Sequence, residues 1–237
     1  MQERERKVEP VAVFDGAGVT PEAGGAIVTL SFEVMAGEVV LIRIDRDSEG
    51  LPLAELALGL LEPESGCVRF EGRDWKSLNP FAQAAARGRC GVVLSQPTWV
   101  SSLSVPENIA LRLEHATSLA SDTILDDAAA KARLAGLEAI DTRRPDFVAA
   151  RELRVLEWVR AFTGRPVLVV LVCPEEGAPA RMLSGLTALV RQAAGQGTAV
   201  LWVSRAGGDA LPADLGPLRE LRIQDGELAG TPGEAQA

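Results

Sequence analysis

Three carboxylates crowd the stretch Ile44-Asp45-Arg46-Asp47-Ser48-Glu49-Gly50-Leu51-Pro52. An apolar run, Val39 to Ile44, precedes them, and Leu53, Leu56, Ala57 and Leu60 follow at helical spacing. The pattern reads as buried strand, polar turn and amphipathic helix. Pro52 suits the first helical position, where its missing N–H costs nothing. A loop that leads from a strand into a helix aims backbone N–H groups outward, and glycines let such a loop curl into a nest for anionic oxygens. Here Gly50 is the one glycine, there is no lysine, and Asp45, Asp47 and Glu49 stand where an anion would rest. At ~5 Å and an effective dielectric of about 20, each like-charge pair costs about 3 kcal/mol. The acids themselves suit a helix start, which favours negative charge, and Ser48 or Glu49 is placed to cap orphan N–H groups. On these residues alone the loop is equally an ordinary turn with surface acids.

Other groups that could do chemistry are few. Cys67, Cys90 and Cys173 are odd in number, far apart and set in apolar runs, which reads as reduced core cysteines of a cytosolic protein. Cys173 lies at a buried strand end with no histidine near it in sequence, which argues against a nucleophile. The one histidine is His115, and no CxxC or HExxH pattern occurs, so no metal site is expected. The net charge of −9 argues against nucleic acid as a partner and against direct attachment to anionic lipid. No apolar run is long enough to span a membrane, and Met1 to Glu9 is a charged arm without the apolar centre of a signal peptide. Any work at a membrane needs another chain as the anchor.

These groups must be positioned by an α/β chain. Its 237 residues, 47% hydrophobic and 24% charged, allow one large domain or a domain with a subdomain. Strands are expected to begin at Val11 to Phe14 and to run from Ile27 to Val34, Val39 to Ile44, Cys67 to Asp74 (with a turn at Gly72), Cys90 to Leu94, Pro166 to Glu175 and Thr198 to Ser204. A final hairpin, Leu218 to Leu228, turns at Asp225-Gly226. Gly16 to Gly25 reads as a long glycine-rich turn. Helices are expected from Pro80, from Pro106-Glu107, from the region of Asp122, through Val155 to Phe162, and from Leu183 to Ala194. The tail from Gly230 is expected to be disordered.

Several of these stretches, taken in order, resemble the ATP-binding cassette (ABC) ATPases. Gly37-Glu38, Gly59-Leu60 and Pro63-Glu64-Ser65-Gly66 match that family's framework at the right spacings. Val68-Arg69-Phe70-Glu71-Gly72-Arg73-Asp74 resembles its V-x-F-x-G-x-D segment, and Leu103-Ser104-Val105-Pro106-Glu107-Asn108 its L-S-V-x-E-N segment. Arg160-Ala161-Phe162 with Gly164-Arg165-Pro166, the strand Pro166 to Glu175, and Gln224 to Leu228 match further framework. The resemblance covers about residues 10–230. It implies a P-loop NTPase-like cassette with a mostly parallel sheet, an antiparallel β-subdomain and a helical subdomain. Residues 10–96 and 155–228 would form the core, 97–154 the helical subdomain, and 1–9 and 230–237 the tails.

The same register exposes what is missing. The pattern G-x-x-x-x-G-K-[ST], whose lysine meets the β/γ-phosphates and whose hydroxyl holds Mg²⁺, falls on Ile44, Glu49, Gly50 and Leu51, followed by Pro52. The signature that clamps a partner's γ-phosphate is Val148-Ala149-Ala150-Arg151-Glu152, in which only Glu152 matches. Arg151 reads either as a surface arginine of a first helical turn or as a cation aimed at a partner's phosphate. The Walker B carboxylates are replaced by Val172 and Cys173, and Pro174 fixes the register against Glu175 and Glu176. The switch histidine is Arg205. The chain has no tyrosine, and Thr20-Pro21 lies where the family's adenine-stacking aromatic would be. Gln96 alone keeps its Q-loop identity.

The resemblance therefore implies a degenerate nucleotide-binding subunit, a pseudo-ATPase with no cofactor of its own, and with ATP and Mg²⁺ only if unusual ligands serve instead. A cassette works with a permease, reached through Gln96, Trp99, Val100 and Glu107, although Trp99 also reads as core. A competent ATPase would be the second partner. The location implied is cytoplasmic, peripheral to the inner membrane. The finer resemblance of Glu71 to Trp75, taken with Leu103 to Asn108, is to bacterial lipid-trafficking cassettes of the Mla/Mce type or to lipoprotein-release cassettes. A divergent but working ATPase is the second reading.

Overall fold

In the computed structural model, residues 9–21, 24, 26–45, 50–205, 218–224 and 227–230 are described. Their strands form one ten-stranded sheet in the order β5-β4-β1-β2-β10-β9-β3-β8-β7-β6. The ranges are β1 Ala12–Val19, β2 Val28–Val34, β3 Val39–Ile44, β4 Ser65–Phe70, β5 Arg73–Asp74, β6 Cys90–Val93, β7 Leu168–Val172, β8 Ala199–Arg205, β9 Leu218–Gln224 and β10 Glu227–Gly230. The first four in the sheet order are antiparallel. The run β9-β3-β8-β7-β6 is parallel throughout. The hairpin strand β10 joins the halves, antiparallel to β9 and parallel to β2 at Glu227 opposite Thr29.

Two burial patterns explain the two halves. In β2, Val28, Leu30, Phe32 and Val34 are buried while Thr29, Ser31 and Glu33 are exposed, the alternation of a strand with one wet face. The parallel strands are buried on both faces. Val40 and Ile42 of β3, Leu168 and Val170 of β7, and Leu201 and Val203 of β8 join one core with the antiparallel half and α1 (Leu53–Ala57). Val39, Leu41, Val169, Leu171, Val200 and Trp202 point to the other face. There α3 (Val105–Ala116), α4 (Ser121–Leu134), α5 (Ala150–Phe162) and α6 (Leu183–Gly195) pack. The α2 helix, Pro80–Arg87, is capped by the Asn79 side chain, which accepts from Ala82 N at 2.9 Å. The segment between β6 and α5 thus brings helices onto the core through Val105, Ile109, Ala128 and Ala132.

Three local expectations are corrected. The glycine-rich turn begins later than expected: β1 continues to Val19, absorbing Gly16 (φ +62°) as an irregularity between Phe14 and Ala17, where only glycine adopts that backbone freely. Pro52 is the residue before α1 rather than its first. Leu60 is 62% exposed rather than on the buried face, because α1 stops at Ala57 and Gly59 turns left-handed at φ +61°. Trp75 lies so close over Gly59 that an added Cβ would stand 2.4 Å from its ring, and the Trp75 indole donates to Ala57 O at 3.1 Å. The expected caps Ser48 and Glu49, the turn Asp225-Gly226, residues 1–8 of the expected arm and residues 231–237 of the expected tail lie outside the described residues, whereas Gly230, expected to open the tail, ends β10.

Candidate functional site

The C-terminal ends of β3, β6, β7 and β8 open on a cleft of about 300 Å³. It is lined by Ile44, Gly50, Leu51, Pro52, Glu55, Leu94, Ser95, Gln96, Thr98, Val172, Cys173, Val203 and Arg205. Binding sites of open α/β sheets lie at this end of the strands. Parallel pairing sets the geometry: Ile44 is level with Arg205 across β3 and β8, and Val172 with Val203 across β7 and β8. The fold therefore gathers Ile44, Gly50, Leu51, Pro52, Gln96, Val172, Cys173 and Arg205, which are far apart in sequence. Asp45 is half-buried beside the cleft, and its N–H donates to Ile223 O at 3.3 Å. Asp47 and Glu49 lie outside the described residues.

The lining is chemically sparse. Among the described lining residues, Glu55 is the one carboxylate and Arg205 the one cation. Gly50 is left-handed, with φ +83°, and the Leu51 side chain is buried. Cys173 is buried, and its thiol is pushed up to about 12, first by burial and then by the charges of Glu176 and Glu175. A neutral thiol at pH 7 is neither a nucleophile nor an anionic ligand. Arg205 is ion-paired with Glu176, and Ser204 Oγ donates to Glu175 Oε1 at 2.6 Å. No group of three or more His, Cys, Asp or Glu placed to hold a metal occurs among the described residues.

The remaining candidates lie elsewhere. Val148 to Glu152 mark the start of α5, with Ala149 as the N-cap and no side chain capping it. Ala149, Ala150 and Arg151 are exposed. Gln96 and Val100 are exposed, whereas Trp99 is half-buried with the Arg160 guanidinium 4.7 Å over its ring. Glu107 is exposed but engaged, its Oε2 accepting from Ser104 N at 2.7 Å and Ser104 Oγ at 2.6 Å in the capping box of α3. Sequence reading passed over Glu55, Ser95 and Thr98 in the cleft lining, and also Arg154 and Glu157 beneath it. The last two carried a signal: charges three apart within an otherwise apolar run from Leu153 to Val159.

No family model matches the chain. The arabinose import ATP-binding protein AraG of Shigella flexneri is 23% identical over 198 residues, 82% of this chain and 39% of that protein. AraG of Escherichia coli O157:H7 is 22% identical over the same shares. The chain thus spans 39% of the length of the curated relatives it matches. Among solved structures, the post-hydrolysis dimer of the ATP-binding cassette MJ0796 bound to ADP and Pi superposes with a TM-score of 0.77, at 18% identity, over 92% of this chain and 98% of that one. The fold is that of an ABC ATPase cassette. An ATP-binding subunit of an ABC transporter agrees, with a TM-score of 0.76 at 16% identity over 93% of this chain and 90% of that one. The mixed sheet, with helices against its parallel half, is the architecture of that fold.

Proposed function

We propose that this cassette is the nucleotide-binding-domain-like subunit of a membrane ABC transporter and that it works as a pseudo-ATPase, pairing with a competent ATPase and docking a permease. One observation carries the reading. The cleft at the strand ends presents Gly50, Leu51, Val172 and a neutral Cys173 where a cation, a hydroxyl and two carboxylates would be needed to hold Mg²⁺ and a triphosphate. The residues present do not fit that group, so no catalytic step is assigned to the chain. The exposed start of α5 and the exposed Gln96, Val100 and Glu107, with Trp99 beside them, support a role in contacts: the first toward a second cassette, the others toward a permease. Lipid or lipoprotein trafficking is the cargo class favoured by Glu71 to Trp75 and Leu103 to Asn108. No described helix is long and apolar enough to cross a membrane; on this reading the permease supplies the contact with the membrane, on its cytoplasmic side.

A divergent working ATPase is the second reading, favoured by the open cleft and by Gln96 at its edge. Affinity capture of the full chain from native membranes separates the two. The first reading expects a permease and an intact cassette in the captured complex. Recovery of a homodimer that hydrolyses ATP alone would support the second.

A further inference from the structure

Arg154, Glu157 and Arg160 lie on one face of α5 at successive spacings of three residues. Arg154 is 6% exposed and Glu157 1%. Taking two ions out of water is costly, and mutual attraction alone seldom offsets it, so the bonds that each makes decide what the pair is for. Arg154 donates from Nη1 to Leu94 O and to Glu157 Oε2, both at 2.7 Å, from Nη2 to Cys173 O at 2.7 Å, and from Nε to Glu176 O at 2.9 Å. Glu157 Oε1 accepts from Thr98 N at 3.2 Å. Arg160 donates to Thr98 O at 2.9 Å and to Thr98 Oγ1 at 2.6 Å.

The groups held by Arg154 and Glu157 outside α5 are main-chain atoms of two loops. Residues 94–98 leave β6 and residues 173–176 leave β7, and both loops border the cleft. Cys173 adds a second observation. Its φ is +44°, a conformation that a residue with a side chain keeps only when its surroundings over-determine it. Its N–H donates to Val203 O at 2.8 Å, and its carbonyl accepts from Arg154 and from Glu176 N at 3.1 Å. The buried guanidinium is thus spent on backbone that would otherwise relax.

We propose that Arg154 and Glu157 form a built-in strut that holds the two cleft loops and the first turns of α5 as one rigid body with nothing bound. Arg154 does internally what a ligand bridging the loops would otherwise do, and it is a positioning residue, not a catalytic one. The strut does not depend on whether the cleft takes nucleotide. The competing reading is an ordinary buried ion pair that contributes stability alone.

Hydrogen exchange by mass spectrometry on the full chain, with thermal melting in parallel, separates these readings. The first variant is Arg154→Met/Glu157→Leu, since apolar replacement of a whole buried pair often keeps or raises stability. The strut expects melting near that of the wild type, with amides of Ser95, Gln96, Thr98, Glu175 and Glu176 exchanging about tenfold faster or more while β3 and β8 stay protected. Wild-type protection of those loops in a folded double variant would overturn it. If the double variant does not fold, Arg154→Lys gives the same reading. Lysine keeps the charge but lacks the fork that reaches Leu94, Cys173 and Glu176 together. The loops are expected to exchange faster relative to β3 and β8, and an equal rise in loops and strands overturns the strut.

Discussion

Arg205, at the end of β8, is paired with Glu176, just beyond β7, with Nη1 and Oε1 2.5 Å apart. The one cation among the described residues lining the cleft therefore faces a carboxylate of its own chain. The side chains are 49% and 36% exposed, and pairs this wet contribute about 0–1 kcal/mol. The pair alone is too weak to bar an anion. On the proposed reading, what disfavours a polyanion is that the described lining residues offer no further cation.

The isolated chain is therefore expected to bind neither ATP nor Mg²⁺-ATP detectably in calorimetry. Glu176→Gln should leave the titration flat, because removing one exposed carboxylate changes the local energy by only about 1 kcal/mol. Micromolar affinity in the wild type would sink the pseudo-ATPase reading.

The cysteines should separate by burial. Cys90 and Cys173 are both 3% exposed, with thiols pushed up to about 12, chiefly by burial. Cys67 is half-buried on β4. Alkylation of the folded protein at pH 8 followed by peptide mass spectrometry should modify Cys67 first and leave Cys173 thiol-intact until the chain unfolds. Labelling of Cys173 at the rate of Cys67 would mean a thiolate in the cleft, and the inert lining described above would be wrong.

Much of this architecture was legible because period and spacing survive where chemistry does not. Val28 to Val34 announced a one-sided strand, and the unbroken apolar runs of β3, β7 and β8 announced burial on both faces. Leu60 was misread because helical spacing says nothing of where a helix stops. That stop depends on Trp75, fifteen residues on in sequence, closing over Gly59. The glycines of β1 were misread as a turn because a bulge and a turn need the same residue. Arg154 and Glu157 were passed over because charged side chains on a helix usually mark its solvated face. Only the tertiary fold brings Leu94, Cys173 and Glu176 around them. The cleft was legible as a set of residues, but not the Arg205–Glu176 pair that crosses its edge.

The capping box of α3 makes a pH prediction. Glu107 is held below its ordinary value of 4.5, first by the Ser104 hydroxyl and then by the Ser104 backbone N–H. A carboxylate depressed on folding contributes stability that is present above its unfolded pKa and lost as pH falls through the folded one. Glu107→Gln should therefore lower the melting temperature at pH 7 and have little effect in acid, once Glu107 is protonated in the wild type as well. Ser104→Ala, which removes the N-cap oxygen, should cost about 1 kcal/mol. Equal effects of Glu107→Gln at both pH values would show that its carboxylate plays no part in the cap.

The last prediction concerns the assembly. Cassettes that pair head to tail build each site from the Walker residues of one chain and the signature of the other. A homodimer of this chain would contain two sites lacking both sets. A hetero-assembly would keep one, in which a competent partner's Walker residues face Val148 to Glu152. That stretch offers an uncapped helix start with Ala149, Ala150 and Arg151 exposed. It lacks the serine hydroxyl and the glycines, so turnover should be slow unless Arg151 supplies charge. Two variants of the reconstituted complex decide the matter. Replacing the partner's Walker B glutamate should abolish turnover. Val172→Asp with Cys173→Glu in this chain should leave it within about twofold, since on the proposed reading Gly50 and Leu51 hold no phosphate for the new carboxylates to act on. A severalfold rise in turnover from the second variant would mean that the cleft binds nucleotide after all, and the active-ATPase reading would replace the one proposed.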